Sequence, residues 1–263
     1  MADETPIPVL TQDKPGATHK GYFWAYYSPI NKTVCFDYRK GRGREGPEEF
    51  LEGYAGALQT DGYAAYNSFE TRQGIILLAC MAHSRRKFEH ALENDRVRAN
   101  HALKLIQKLY ETERICRECD YTQEQRYHQR QEKSLPVMQE LEVWLKEQIT
   151  YTLPKSSIGE AMAYTLNLWP RLKRYLDNGL YEIDNNLIEN TIRPIAIGRK
   201  NYLFAGSHEA AERAAMIYSF FGTCKQNQVD PYAWLSDVLD RIPSHKANRL
   251  SELLPYNWKN NQQ

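Results

Sequence analysis

No apolar run in this chain approaches the roughly 20 residues that span a bilayer, and the N-terminus has no signal-peptide pattern. A cytoplasmic protein without a membrane partner is the expectation. Net charge is only +1, from 34 basic and 33 acidic residues. No global field points to a nucleic-acid partner, so only local clusters count: Arg39-Lys40-Gly41-Arg42-Gly43-Arg44, Arg85-Arg86-Lys87 and Arg199-Lys200. The five cysteines are odd in number and lack framework spacing, which excludes a disulfide scaffold and fits a reducing compartment. Cys116-Arg-Glu-Cys119 has no second pair at zinc spacing and reads as two helix cysteines one turn apart. Internal repeats and low-complexity segments are missing. Gly198-Arg-Lys-Asn-Tyr is not a phosphate-cradling loop, no serine or cysteine triad stands out, and no organic cofactor site is expected.

What remains is an ordinary globular composition, 42% hydrophobic over 263 residues, enough for one sizeable core with or without a smaller unit. Met1-Ala-Asp-Glu-Thr-Pro-Ile-Pro-Val-Leu10 opens on acids and continues as a short extended run. Aromatic-rich 21–28 and then 33–38 read as a hairpin around a turn at 29–32, its aromatics packing across strands instead of stacking on bases. A flexible Gly- and Arg-rich loop leads to a short helix at 48–54. A strand at 57–60 ends at Asp61-Gly62, a buried strand follows at 75–80, and a helix from His83 runs to about 94. This order predicts an α/β domain with a mixed sheet.

From 97 to 179 the period changes to helical. Ala102, Leu105, Ile106 and Leu109 mark one helix, Met138, Leu141, Leu145 and Ile149 another, and 158–168 a third. Polar 123–133 between them is an exposed helix or a linker, and Gly179 stops the helical region. Ser207 caps a helix to about 225, Asp230-Pro231 opens another to 242, and the tail 253–258 has apolar anchors that dock on the body.

The stretch 181–206 packs acids, amides and bases around an apolar face. Asn185 or Asn186 caps a helix that reaches about Arg193, where Pro194 ends or kinks it. Ile188, Ile192 and Ile195 share one buried face, and Asn185, Glu189 and Arg193 another. Taken singly, Glu189 closes a capping box with Asn186 or pairs with Arg193. Asp3 and Asp61 belong to predicted strand ends, although Asp-Gly is also an ordinary turn former. Three converging carboxylates would be hard oxygen ligands for Mg²⁺ or Mn²⁺. His83 alone is more often a structural histidine, and Arg85 and Arg86 suit DNA backbone or a solvated face equally. Arg193, Arg199 and Lys200 flank the Glu helix and are better phosphate candidates.

Several motifs together carry a resemblance. Asp3-Glu-Thr-Pro, Thr60-Asp-Gly-Tyr-Ala-Ala-Tyr66, Ala82-His-Ser-Arg-Arg-Lys-Phe88, Asp184-Asn-Asn-Leu-Ile-Glu189, Arg193-Pro, Gly198-Arg-Lys-Asn-Tyr-Leu-Phe204, Val229-Asp-Pro and Leu254-Pro-Tyr-Asn-Trp258 occur in the order found in the insertion sequence 66 family of bacterial transposases. The chain resembles that family over nearly its whole length. The resemblance implies a ribonuclease-H-like mixed sheet with flanking helices, interrupted by an all-helical insertion. It divides the chain into 1–96 (first part of the catalytic core), 97–180 (insertion), 181–228 (final part of the core, with the Glu helix) and 229–263 (C-terminal helix and tail). It maps a catalytic, metal-binding triad onto Asp3, Asp61 and Glu189, with Mg²⁺ or Mn²⁺ as cofactor. His83, Arg85, Arg86, Arg193, Arg199 and Lys200 become the DNA-contacting set.

The implied function is two-metal cleavage and transfer of DNA strands during transposition. Its implied partners are double-stranded DNA (element ends and target), a second copy of the chain and accessory proteins of the same element. Two features depart from the family. Only Met1 and Ala2 precede Asp3, which implies an N-terminally truncated member without most of its first strand, and Asn190 stands where Arg usually follows the Glu. An inactive remnant or DNA-binding module is therefore the alternative, and a simple nuclease of the same fold a third reading.

Overall fold

Thr5, Ile7 and Val9 are buried while their neighbours are half-buried, a period of two that makes Ala2–Leu10 a strand, β1. The computed structural model describes residues 1–11 and 16–258. Its described residues form a mixed, mainly helical α/β protein with two small sheets. Contacts divide it into two compact units, Met1–Tyr54 with Asn186–Gln263, and Ala55–Asn185.

In the first unit β1 pairs antiparallel with β2 (Thr18–Ser28), which pairs with β3 (Thr33–Arg39). The expectation that most of the first strand is missing is overturned. The strand extends downstream of Asp3 and is paired along its length, from Ala2 opposite Tyr26 to Leu10 opposite Thr18. Pro6 and Pro8 are tolerated because β1 is the outer strand of this sheet and even-numbered residues turn their backbone away from β2. That outward side is used: the Pro8 carbonyl accepts from Ala205 N at 2.8 Å, and Leu10 N donates to the Ala205 carbonyl at 2.9 Å.

Helix α1 (Glu45–Phe50) follows β3, and its Phe50 ring stacks on Tyr26 at 3.9 Å. The aromatics of β2 are core residues, as their pattern predicts: Phe23, Trp24, Tyr26 and Tyr27 are all buried.

The second unit begins with β4 (Gly56–Thr60) and β5 (Ile75–Ala79), parallel and in register from Gly56 opposite Ile75 to Thr60 opposite Ala79. Between them runs a 3₁₀ segment, Ala64–Glu70. Then come α2 (Met81–His90), α3 (Arg96–Glu118), α4 (Gln123–Gln129), α5 (Leu135–Gln148), α6 (Ser157–Asn167) and α7 (Trp169–Lys173). Their apolar stripes close one core that includes Phe88, Leu105, Ile106, Leu141, Met162 and Tyr175. The polar stretch 123–133 is not simply an exposed helix or linker. It is helical, it widens into a π-turn over Arg130–Ser134, and Arg130 and Ser134 are fully buried.

In the first unit, α8 (Asn186–Tyr202) and α9 (His208–Gln226) pack on the sheet through Ile188, Ile192, Ile195, Ala211 and Ala215. Helix α8 does not end at Arg193; it carries Pro194 internally for eight further residues. The proline removes one main-chain donor, while Ile195 directly after it is fully buried and keeps the helix packed on the sheet. Helix α9 lies along β3, where Ser219 and Thr223 accept main-chain N–H groups of Phe36 and Val34 at 2.7 and 3.1 Å. Its hydroxyls thus satisfy a sheet edge.

Ser207 caps α9 and Asp230 caps α10 (Pro231–Arg241), both through their side-chain oxygens as expected. The tail docks through α11 (Pro255–Trp258): Trp258 Nε1 donates to Asp237 at 2.8 Å, and Trp234 Nε1 to the Leu253 carbonyl at 2.8 Å. Among the described residues, no helix is long and apolar enough to cross a membrane.

Candidate active site

The first unit holds Asp3, Glu189, Arg193, Arg199 and Lys200. By the period of two, Asp3 shares a face of β1 with Thr5, Ile7 and Val9. Ile7 and Val9 on that face pack against Ile188, Ile192 and Ile195 of α8. The chain direction is fixed at the other end of the helix, where Arg199 Nη1 donates to the Pro6 carbonyl and Ala205 bridges Val9. The N-terminal turn of α8, which carries Glu189, therefore lies toward the Asp3 end of β1. Asp3 Oδ1 accepts the outward-facing N–H of Glu4 at 2.7 Å, so the carboxylate is oriented by its own strand.

Arg193 and Lys200 are exposed, while Arg199 spends one donor on β1 and keeps others. Composition did not single out Glu4. Its side chain is only 2% exposed and is bound by Arg42 Nε at 2.7 Å, which ties the basic loop to β1 beside Asp3.

The second unit holds Asp61, His83, Arg85 and Arg86. Parallel β4 and β5 end in register, so Asp61 and the start of α2 emerge from the same edge, the usual site-bearing edge of parallel strands. Gly62 turns the chain there at φ +88°, and a Cβ would lie 2.7 Å from Leu168 Cδ1. Asp61 Oδ1 accepts from Tyr63 N at 2.8 Å, the ordinary Asx-turn bond, and its carbonyl accepts the Tyr164 hydroxyl at 2.8 Å. Burial first, and the Asp61 charge second, push the Tyr164 hydroxyl above its usual pKa.

His83 is half-buried, with Nε2 3.4 Å from Arg86 Nη1. Arg85 pairs with Glu89 at 3.0 Å and lies 5.8 Å over the Tyr110 ring, so it is engaged within the unit, whereas Arg86 is exposed.

Asp184, whose sequence position signals no role, is a buried carboxylate close to Cys80. Burial, opposed by the main-chain N–H of Asn185, pushes the Cys80 thiol up to about 12, and the Asp184 charge adds to the rise. Asn185 is fully buried and its Oδ1 and Nδ2 have no partner, so it does not cap α8 through its side chain. A hydrophilic residue just before a helix reads as a cap, and nothing in its local sequence signals an orphaned amide.

The donor set suits a divalent cation. Asp3, Asp61 and Glu189 offer only carboxylate oxygens, which match Mg²⁺ or Mn²⁺ and not a soft thiophilic metal.

Three curated proteins from Sinorhizobium fredii (strain NBRC 101917 / NGR234), each named as uncharacterized, are similar to the chain. Protein y4hP is 35% identical over 98% of this chain and 50% of its own length. Protein y4jD is 32% identical over 100% of this chain and 54% of its own. Protein y4qI is 36% identical over 98% and 50%. The chain thus spans about half the length of the curated relatives it matches. No solved structure matches it. Residues 219–256 match the IS66 C-terminal element and residues 1–213 the Transposase IS66 family, with all three acids inside the longer match. The chain belongs to the IS66 family of transposases.

Proposed function

We propose that this chain is the catalytic region of a DDE transposase with a ribonuclease-H-like core, interrupted by the helical insertion 97–180, that cleaves DNA at element ends and joins it to a target. What carries the reading is the family match, which runs through Asp3, Asp61 and Glu189 in order. The orientation of Asp3 and Glu189 toward one end of β1 and α8 supports it.

In this reading the three carboxylates hold Mg²⁺ or Mn²⁺. Bound there, the cation supplies Lewis-acid activation of the attacking oxygen and charge neutralisation at the leaving one. The remaining residues bind and orient DNA. Arg193, Lys200 and Arg86 offer exposed cations to phosphates, and Arg199 and Arg85 add donors left over from their structural bonds. His83, with Nε2 3.4 Å from Arg86 Nη1, holds that arginine beside the same backbone. The reading implies element-end and target duplexes as substrates, action in the cytoplasm, a second copy of the chain for the second end, and accessory proteins of the same element.

The direct test is Mg²⁺-dependent strand transfer on an element-end duplex. Asp61→Asn and Glu189→Gln abolish it while leaving DNA affinity near the wild-type value. Equal transfer by Asp61→Asn would sink the assignment, and failure of Mg²⁺ to raise the melting temperature would return the protein to a DNA-binding module.

Binding has a separate signature. Arg193→Gln and Lys200→Gln each weaken affinity for all sequences and lower the slope of log affinity against log salt by about one. Unchanged slopes in a fluorescence-anisotropy titration would remove these two residues from the interface.

A further inference from the structure

Arg130 lies in the π-turn between α4 and α5 with no exposed surface, yet all five of its N–H groups have acceptors. Nε and Nη2 donate to the two Glu113 oxygens at 2.7 and 2.8 Å. Nη1 donates to the carbonyls of Tyr175 and Asn178, and Nη2 to that of Tyr181, each at 2.7 Å. Arg126 extends the network, reaching Glu113 at 2.8 Å and the Glu182 carboxylate at 2.7 and 2.9 Å. Two cations balance two anions.

The accepted carbonyls lead into and along the irregular strap 178–185, which has neither helix nor strand to satisfy its main chain. The rest of the strap is tied in the same way. Gln59 Nε2, buried on β4, donates to the Glu182 carbonyl at 2.8 Å, Met81 N to the Ile183 carbonyl at 3.0 Å, and Asn185 N to Cys80 Sγ at 3.4 Å. The orphaned amide of Asn185 is a cost that these ties sustain. Directly after Asn185 the chain enters α8, whose first turn carries Glu189.

A buried ion pair is a poor choice for stability alone, since well-packed apolar side chains of similar volume often do better. An apolar side chain cannot hold three carbonyls. The π-turn that delivers Arg130 is also a rare feature that recurs at functional sites.

We propose that Arg130 is a positioning residue for Glu189: it fixes the strap from which α8 departs, so that the helical insertion sets where the Glu helix begins. This rests on the catalytic reading of Glu189 given above. Arg130→Lys keeps the charge but loses the planar fork. Arg130→Met combined with Glu113→Leu removes the buried pair, leaves Arg126 paired with Glu182, and restores packing.

The test uses the full chain and compares hydrogen exchange of the 178–185 amides with Mg²⁺-dependent strand transfer, cooperative thermal unfolding serving as the check on folding. Both variants exchange strap amides about tenfold faster or more. Transfer falls on the order of a hundredfold, the scale expected for a small misplacement of a catalytic group, and DNA affinity is unchanged. If Arg130→Lys does not unfold cooperatively, the double variant carries the comparison. Wild-type strap exchange in the double variant overturns the proposal, and so does fast exchange with transfer within about twofold of wild type. Wild-type transfer by Glu189→Gln overturns the catalytic reading and the positioning role with it, a pattern distinct from an inactive Glu189→Gln beside an unaffected double variant.

Discussion

Glu113 is fully buried and ionised, and its environment decides a pH dependence. Burial opposes its charge most strongly, but Arg130 and Arg126 together hold the carboxyl below its usual 4.5. The folded pKa is depressed, so the stabilisation is fully present above about 4.5 and is lost as pH falls through the folded value. Glu113→Gln leaves Arg130 buried without its counter-charge and destabilises the fold at pH 7 by about 3–5 kcal/mol. In urea melts the gap between wild type and Glu113→Gln narrows as pH drops below 4.5, because protonation removes the same charge from the wild type. A gap that persists unchanged at pH 3 would show that shape, not charge, is what the site needs. Glu113 was within reach of sequence reading, since it extends the apolar stripe of Leu105, Ile106 and Leu109 by one further turn to a charged position. Arg130 had no such signal. It lies in a polar stretch, and only the fold turns it inward.

Among the elements, α8 shows most plainly what periodicity reads and what it misses. The spacing of Ile188, Ile192 and Ile195 gave the buried face, and all three are buried against the sheet. Of the two effects expected of Pro194, an end or a kink, the end at Arg193 is not what the helix shows. Pro194 withholds one hydrogen bond, but Ile195 directly after it is fully buried, and Arg199 binds the Pro6 carbonyl further along the helix. Ile195→Ala therefore destabilises by about 2–5 kcal/mol, more than a chain frayed beyond Arg193 would show. A denaturant midpoint unchanged by Ile195→Ala would put the helix end back at Arg193. The hairpin strands were legible because aromatic content survives single-sequence reading, as in Phe23, Trp24, Tyr26 and Tyr27. The irregular strap was not. Its geometry comes from Arg130, Gln59 and Met81, which are distant in sequence and carry no local period.

At the scale of the whole molecule, the two units differ in how the chain builds them. The first is assembled from two separated segments, Met1–Tyr54 and Asn186–Gln263, whereas the second is one continuous run, Ala55–Asn185. A continuous run of roughly 130 residues is long enough to bury about two-thirds of its unfolded surface, within the range of independent domains. This one has its own core, from Leu78 and Phe88 through Leu141 to Tyr175, and its Arg130–Glu113–Arg126–Glu182 network is internally neutral. Gly53 and Gly56, at φ +73° and +133°, place two permissive turns at the entry to the run, where a cut removes no regular element. The excised 55–185 chain is therefore expected to fold alone and to unfold in one cooperative transition, with a stability of about 5–15 kcal/mol. Calorimetry checks this through the agreement of calorimetric and van't Hoff enthalpies, and proteolysis through a resistant fragment ending near residue 185. A broad, non-cooperative melt of the fragment would show that the two cores are thermodynamically one. The role assigned to Arg130 would then have to be measured against the stability of the entire chain and not of its own unit.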